Sequence, residues 1–429
     1  MYSRLITYYK KTEGLKQKTG LRCVLPAMTM LCCTFTYAQS DSAQKSSIKK
    51  NTTLKKKDSA VKQEDVVDFI AKVCRIKVAN KSDSESMKPG KLLVAVFPAA
   101  GYALQSGVVG IVATNISFYT APPPTNLSSI TFNPQYSIMN QIVLPCISSI
   151  FTKDNKFNFL GDYRYYKYPS YTYGLGSRTL LNDVDSIDYR YIKFYQEALI
   201  RLAPNLYGGF GYNLDYHYDI TDNSNNTDFE QYDNNATKTV SSGVVAHLKY
   251  DTRDNINNPE TSIYASVTYR YNSTILGSDN NWQYIQAEIR KYFQLSPVGH
   301  YVLAFWSWNE FTFGGRPPYL DLPSTGWDTY NNTGRGYIQG RFRGANFVYL
   351  ESEFRFDILR SGLLGGVVFA NAETVSKRLS DGEGGIISPG YGAGIRIKLN
   401  RYSKTNIAVD YGFGTGGSRG FFFNIGEVF

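Results

Sequence analysis

Alternation of apolar and polar residues is the main pattern of the chain after Lys91. Between Thr261 and Ser273 every second position is apolar, namely Ile263, Ala265, Val267, Tyr269 and Tyr271. The positions between them are mostly polar and include Arg270. Because successive side chains of a β-strand point to opposite faces, the pattern predicts strands with one apolar and one polar face.

Turn residues divide this pattern into about 16 predicted strands. They cover residues 91–97, 104–119, 127–137, 140–151, 156–167, 186–199, 205–219, 238–250, 261–273, 282–294, 299–313, 346–359, 363–372, 390–399, 405–413 and 420–429. An even strand number is typical of single-chain outer-membrane barrels.

Charged residues on the polar faces distinguish a membrane barrel from a soluble sandwich. The strand at 346–359 sets Glu351, Glu353 and Arg355 opposite Leu350 and Phe354. A soluble sandwich would bury its apolar faces against each other in one core, whereas a closed cylinder in lipid is apolar outside and wet inside, and leaves no strand edge in the membrane. We therefore predict an all-β transmembrane antiparallel β-barrel of about 16 strands over residues 91–429.

The aromatic content agrees with this prediction, since the 429 residues include 35 Tyr and 25 Phe. Several aromatic residues near predicted strand ends fit girdles at the two membrane interfaces. They are Tyr165, Tyr166, Tyr168, Tyr171, Tyr173, Trp306 and Trp308. The chain also ends on NIGEVF, and Gly426 and Phe429 predict a final barrel strand of the kind that assembly machinery reads.

The first 38 residues have the anatomy of a secretory signal peptide. A basic region precedes an apolar run from Cys23 to Phe35, and small residues follow up to Ala38. Cys32 and Cys33 lack the small preceding residue of a lipidated cysteine, so we do not expect lipidation. Of five cysteines only Cys74 and Cys146 would remain after cleavage, which is too few for a disulfide framework.

The net charge of +10 is concentrated at the N-terminus and does not indicate nucleic acid as a partner. The first 64 residues hold 13 Lys and Arg against four Asp and Glu, which leaves 33 against 32 for the rest. Residues 39–90 read as a disordered periplasmic tail, because they are rich in Ser, Lys, Thr and Asp and poor in apolar residues.

One short amphipathic helix, Asp65–Lys77, is predicted within that tail. Its apolar stripe consists of Val66, Phe69, Ile70, Val73 and Ile76. A helix this short is marginal alone in water, so the stripe needs a cover. Our hypothesis is that it docks at the periplasmic rim of the barrel or on a partner protein.

Catalytic and metal-binding patterns are weak throughout the chain, and we expect neither an enzyme nor a cofactor. GFGTGG (Gly412–Gly417) matches a dinucleotide fingerprint in spacing, but no helix follows it, which favours a hairpin turn. The three histidines do not cluster with metal ligands. His217 is the best candidate base, yet no nucleophile elbow accompanies it and it reads as a strand residue.

Several motifs in the barrel region, from about Lys91 to Phe429, occur in an order that resembles one family, the BamA/TamA-like outer-membrane insertase and transporter superfamily. They are YDTRDNINNP (Tyr250–Pro259), NEFTFGGRPPYLDLP, GRGYIQGRFRG (Gly334–Gly344), FRGANFVYLESEFRF, YGAGIRI and VDYGFG. The RGY tripeptide falls between predicted strands 11 and 12, where the family has its lid loop.

The resemblance implies an extracellular lid loop that folds into the lumen through Arg335, Gly336 and Tyr337. In the family, lumenal carboxylates hold this arginine, so the resemblance makes Glu351 and Glu353 candidate partners. The family's next strand usually presents an aspartate to the arginine, whereas this chain has Asn371 and Glu373 in FANAE. The roughly fifty residues from Gln39 to Gly90 leave no room for the family's POTRA domains, which implies a POTRA-less member.

Two functions follow as expectations. The first is a component of outer-membrane protein insertion, translocation or envelope assembly, with a weak seam between residues 91–97 and 420–429. The alternative is a static barrel, either a narrow porin or a structural subunit of an outer-membrane complex. Expected partners are outer-membrane lipids and other envelope assembly proteins or client barrels, in a diderm bacterium with the N-terminal segment in the periplasm.

The leader yields a first testable prediction. Intact-mass analysis of protein purified from outer membranes should give a chain that begins at Gln39, because cleavage after Ala38 fits the small-residue site. A retained leader or an added diacylglycerol would contradict this prediction.

Overall fold

A computed structural model describes residues 63–66, 89–222, 232–233, 236–297, 299–377, 385–400 and 404–429. The predicted signal peptide and most of the predicted tail and helix lie outside these residues. In the described part, no helix is long and apolar enough to cross a membrane.

The described chain forms 18 β-strands in one sheet. The strands are β1 (Leu93–Ala103), β2 (Gly107–Phe118), β3 (Ser128–Phe132), β4 (Gln135–Ser137), β5 (Ile142–Phe151), β6 (Phe157–Lys167), β7 (Ser170–Thr172), β8 (Asp185–Ala203), β9 (Leu206–Asp222), β10 (Lys238–Asp251), β11 (Ser262–Asn272), β12 (Trp282–Gln294), β13 (Tyr301–Phe313), β14 (Asn346–Asp357), β15 (Leu364–Ser376), β16 (Ser388–Asn400), β17 (Thr405–Phe413) and β18 (Arg419–Ile425).

Two pairs of these strands act as single broken spans, so the barrel has 16 spans. β3 and β4 both lie between β2 and β5, and β6 and β7 both pair with β8. Each span pairs antiparallel with the next along the chain, from β1 to β18. β1 and β18 then lie side by side, which brings the sheet round on itself. The predicted antiparallel barrel is confirmed.

The faces of the strands are those predicted from the alternation. On β11, Val267 is 48% exposed whereas Arg270 is buried. On β14, Leu350 is 55% exposed whereas Glu351, Glu353 and Arg355 are buried. Apolar side chains therefore cover the outer surface and charged ones fill the inside, the reverse of a soluble protein and the arrangement that lipid requires.

The girdle prediction is wrong for five of its seven aromatic residues. Tyr166, Tyr168, Tyr173, Trp306 and Trp308 are buried inside the barrel. Aromatic identity does not decide which face a side chain takes, whereas register does. Trp306 and Trp308 are two residues apart on β13, so both point inward, where their rings pack edge to face with centroids 6.2 Å apart.

The final strand is also shorter than predicted. β18 ends at Ile425, and Gly426 has φ +103°, a left-handed conformation that turns the chain out of the sheet. Residues 426–429 form a tail (the C-terminal tail) that enters the lumen, where Val428 and Phe429 are buried. The prediction that Gly426 and Phe429 belong to the last strand is therefore wrong.

A long loop, residues 314–345, connects β13 to β14 and corresponds to the predicted lid. It falls between the eleventh and twelfth spans, as expected. Most of its residues from Leu322 to Gly344 are buried, because the loop folds back into the barrel. The lid loop therefore fills part of the lumen.

Substituting neighbouring residues of β11 by lysine tests the assignment of faces. Val267→Lys, near the middle of the lipid-facing row, should lower the free energy of unfolding by about 2–4 kcal/mol. Thr268→Lys, which points inward, should cost clearly less. Urea unfolding in lipid vesicles measures both, and an equal loss would contradict the assigned faces.

Candidate functional site: the lid loop and the lumenal charge cluster

Hydrogen bonds within the lid loop, most of them to its backbone, hold the loop in shape. Thr325 N donates to Phe342 O at 3.0 Å, and Gly340 N donates to Thr325 O at 2.8 Å. Asp328 accepts from the amides of Asn332 and Thr333 at 2.8 and 2.7 Å. These bonds satisfy a buried, irregular backbone and present Arg335 at the tip.

Arg335 is 1% exposed and is surrounded by carboxylates of the barrel wall. Its Nη2 pairs with both Glu351 and Glu353 of β14. Its Nη1 lies 2.6 Å from Oδ2 of Asp410 on β17. The guanidinium carbon also lies 3.7 Å from the centre of the Phe369 ring, a cation–π contact. One arginine thus joins two strands that are three spans apart.

Gly336 allows the loop to approach the wall closely. It has φ +114°, and a Cβ built on it would lie 2.6 Å from the carbonyl oxygen of Phe413. Its own carbonyl accepts from Ser418 Oγ at 2.7 Å. No side chain fits at this position, which explains the glycine between Arg335 and Tyr337.

Tyr337 fixes the loop to the wall at a second point, next to Arg335. Its hydroxyl donates to Pro389 O at 2.6 Å and accepts from Thr415 N at 3.0 Å. Its ring packs edge to face on Phe342. The three residues of the RGY tripeptide therefore contact the wall by an ion cluster, a backbone approach and a hydroxyl.

Asn371 and Glu373 on β15 face the loop, but neither forms an ion pair with Arg335. Asn371 Nδ2 donates to the carbonyl oxygen of Arg335 at 2.9 Å. Glu373 accepts from Thr325 Oγ1 at 3.0 Å, elsewhere in the lid. Asn371 therefore supports the backbone of the loop at Arg335, and Glu373 holds the loop at Thr325.

Asp410, which sequence reasoning missed, is the third carboxylate around Arg335. It lies in VDYGFG, a motif we used only for the family resemblance. Its inward position follows from alternation on β17 beside the buried Ala408. Alternation could have found an inward carboxylate there, but only the fold brings β17 to the lid.

The pairs around Arg335 continue into a larger network. Arg396 on β16 lies 2.5 Å from Asp410 and 2.7 Å from Glu427. Arg355 on β14 lies 2.7 Å from Glu353 and 3.8 Å from Glu427. We call this set the inner charge cluster, with members Arg335, Arg355, Arg396, Glu351, Glu353, Asp410 and Glu427.

Pairing offsets the effect of burial on the ionisation of two members of the cluster, Arg335 and Glu427. Burial by itself would lower the pKa of Arg335, but Glu351, Glu353 and Asp410 outweigh it and raise that pKa well above its usual value. Burial would likewise raise the pKa of Glu427, yet Arg396 and Arg355 lower it to about 2. Three cations and four carboxylates therefore share one site, and each depends on the others.

The C-terminal tail belongs to the same site. Phe429 stacks on Trp306 with ring centroids 5.3 Å apart, and its carbonyl oxygen accepts from Arg355 Nη2 at 2.9 Å. Asn332 of the lid donates to Val428 O and accepts from Asn424 of β18, both at 2.7 Å. The lid is thus bonded to the last strand and to the tail that follows it.

The other side of the lid contacts the opposite wall. Asp321 accepts from Ser241 Oγ at 2.5 Å, and Arg341 donates to Thr179 O at 2.5 Å. Arg343 donates to the carbonyls of Tyr319, Leu320 and Leu322 within the lid. Aromatic side chains of β6 and β8 pack around Tyr319 and Leu322. The lid therefore crosses the lumen from wall to wall.

The other residues singled out in the sequence are His217, the GFGTGG stretch and the predicted docking helix. His217 stacks on Tyr191 at 4.2 Å and lies 3.5 Å from Asp321 of the lid. GFGTGG runs from the end of β17 into a tight turn before β18. Of the predicted docking helix only Asp65 and Val66 are described. Just before them, Glu64 N donates to Ser361 O of the β14–β15 turn. Val66 is helical there, while Phe69, Ile70 and Val73 lie outside the described residues.

The seam between β1 and β18 differs from every other junction of the barrel. Within the described strands, no ladder of paired residues joins them. They meet where Gly101 faces Phe423 and Leu104 faces Gly420. Both contacts fit one antiparallel register, which sets Ile425 beside Ala99. The residues of β1 before Ala99 therefore extend past the end of β18.

Comparison with solved structures identifies similar barrels. BamA from Haemophilus ducreyi lacking POTRA domains 1-3 matches with a TM-score of 0.52 and 14% identity, over 77% of this chain and 69% of that one. CdiB from Acinetobacter baumannii matches with a TM-score of 0.47 and 13% identity over 78% of this chain, which spans 59% of CdiB. No protein-family model and no curated protein sequence matches. The BamA/TamA-like barrel fold expected from the sequence is confirmed.

The charge cluster generates a prediction about the lid. Arg335→Ala should leave Glu351, Glu353 and Asp410 without their shared cation and lower the free energy of unfolding by about 3–5 kcal/mol. The loosened lid should also raise single-channel conductance in planar bilayers.

Arg178→Ala is the matched control, because Arg178 is an exposed arginine on the β7–β8 loop. It should change neither quantity measurably. If both variants behave alike, the lid is an ordinary surface loop.

Proposed function

We propose that this protein is a component of outer-membrane protein insertion, translocation or envelope assembly, and that it acts through the seam between β1 and β18. The observation that carries the proposal is the seam itself, where two neighbouring strands lack a ladder. Every other junction between consecutive spans has one.

A seam without a ladder destabilises a barrel in a membrane, which suggests that the seam has a function. Backbone amides and carbonyls that face lipid without a partner cost several kcal/mol each. The free edge of β1 can accept an added strand by backbone hydrogen bonds, a general mode of peptide recognition. Pro98 lies within that edge strand, and proline is tolerated mainly at edges because it lacks the N–H donor.

The filled lumen supports transport through the seam rather than conduction of ions through the lumen. The lid crosses it from wall to wall, and Arg335 ties the lid to the inner charge cluster at its centre. A steady pore would require this buried network to be broken. A narrow porin therefore fits the interior less well than a barrel whose wall opens.

The likeness to BamA supports the proposal only as an analogy, because one barrel fold can carry different functions. By that analogy the protein resides in the outer membrane with its N-terminal segment in the periplasm. Its partners would be membrane lipids and either other envelope assembly proteins or client barrels. The hydrogen bond from Glu64 N to Ser361 O of the β14–β15 turn supports a position of this segment at the rim of the barrel.

Locking the seam with a disulfide tests the proposal. A Cβ on Gly101 would lie 3.8 Å from the Cβ of Phe423, close to the mean separation across a disulfide of about 3.8 Å. In a background with Cys74 and Cys146 replaced by serine, Gly101→Cys/Phe423→Cys should crosslink in the folded barrel. Cells that depend on this variant should then lose folded outer-membrane proteins under oxidising conditions and regain them with reductant.

The control is Val267→Cys/Ala287→Cys, which joins two residues already paired between β11 and β12. This crosslink should leave the cells unaffected. Normal outer-membrane assembly with a fully oxidised seam would exclude the proposed route. A large, steady conductance of the purified barrel in planar bilayers would favour the porin instead.

A further inference from the structure

The turn between β10 and β11, residues 252–261, reaches across the periplasmic mouth of the barrel. β10 and β11 are the eighth and ninth spans, whereas β17 and β18 are the fifteenth and sixteenth. In a ring of 16 spans these two pairs lie on opposite sides. Contacts between them must therefore cross the opening rather than follow the wall.

Ionic contacts fix the turn to the far wall. Glu260 lies 2.7 Å from Nζ of Lys404, which precedes β17 on the far wall. On the near side it lies 3.4 Å from Nδ1 of His300, in the β12–β13 turn. Asp254 lies 3.8 Å from the same Lys404. The His300 side chain and Lys404, opposed by burial, lower the pKa of Glu260 to about 2, so its charge persists at neutral pH.

The same turn holds the C-terminal tail inside the lumen. Glu427 N donates to Asn257 O at 3.0 Å, and Gly426 N donates to Asn406 O of β17 at 2.7 Å. The side chain of Asn406 donates to Glu427 at 2.6 Å. The chain thus leaves the sheet at Gly426 directly beneath the turn that caps it.

The register of the seam shows where the tail would lie if it were released. Gly101 faces Phe423 and Leu104 faces Gly420, so continuation of the same pairing sets residues 426–429 beside residues 98–95 of β1. The tail would thus cover four of the six residues of β1, 93–98, that extend past the end of β18 along the periplasmic half of the seam. The tail and the seam therefore compete for the same stretch of chain.

We propose that the 252–261 turn is a periplasmic latch, which keeps residues 426–429 in the lumen and so keeps the periplasmic half of the seam open. Release of the latch lets residues 426–429 extend β18 and pair with β1, which closes that half of the seam. The role of the latch rests on the proposed function: the latch would set how much of the β1 edge is available to another strand. Its existence as a structural element is independent of that purpose.

The tail's accessibility tests the latch on the purified full chain in lipid nanodiscs. Val428→Cys is placed in a background with Cys74 and Cys146 changed to serine, because Val428 is buried in the lumen. Labelling by a bulky water-soluble maleimide should be slow. Adding Glu260→Lys, which sets like charges opposite each other at Lys404, should raise the labelling rate about five-fold.

Charge restoration and a distant charge reversal are the controls. Glu260→Lys/Lys404→Glu should bring the rate back towards the background value. Asp154→Lys makes the same reversal on another periplasmic turn, between β5 and β6, and should leave the rate unchanged. If Glu260→Lys does not fold, Lys404→Gln replaces it and should also speed labelling.

An unchanged rate in the folded latch variant overturns the proposal, and so does an equal rise in Asp154→Lys. Failure of the double exchange to slow labelling also overturns it, because the Glu260–Lys404 pair would then not hold the turn. None of these readouts requires assembly activity. The latch can therefore stand if the disulfide experiment excludes transport through the seam, and it can fail while that transport is upheld.

Discussion

The ion cluster around Arg335 is the interaction on which the interior of this barrel depends. A guanidinium buried without partners would be very costly, so Arg335 requires Glu351, Glu353 and Asp410 together. Those carboxylates come from β14 and β17, and two of them, Glu353 and Asp410, are in turn paired with Arg355 and Arg396. The lid can therefore dock only when both strands are in place, and the wall carboxylates gain Arg335 as a third cation only when the lid is docked.

The lid, the last strand and the tail form one connected structure. Asn332 of the lid bonds to both Asn424 of β18 and the backbone of Val428. Glu427 carries the connection into the charge cluster through Arg396. A buried polar network is destabilised when only some of its hydrogen bonds are lost. A structural change at the seam therefore weakens the contacts of the lid, and a change at the lid weakens those of the seam. This coupling links the lid loop at one end of the barrel to the C-terminal end of β18 at the other.

Much of the fold could be predicted because a barrel in lipid imposes one strict rule on each strand. Val267 and Leu350 face outward and Arg270 and Glu351 face inward, as the alternation indicated. The place of the lid loop followed from the family resemblance together with the strand count. The aromatic girdle prediction failed because tryptophans such as Trp306 serve equally well as packing for the lid. The last strand was overestimated because the sequence of the tail does not record the turn at Gly426.

By itself, the sequence determined the strand number and the two faces, since these depend on local alternation, and the family resemblance pointed to the RGY tip of the lid. Only the tertiary structure decided that Asp410 completes the charge cluster, that Asn371 holds backbone instead of a charge, and that residues 252–261 meet the C-terminal tail. These contacts join segments up to some 170 residues apart, from Asn257 to Glu427. Their distance depends on barrel closure and strand register, which no local pattern encodes.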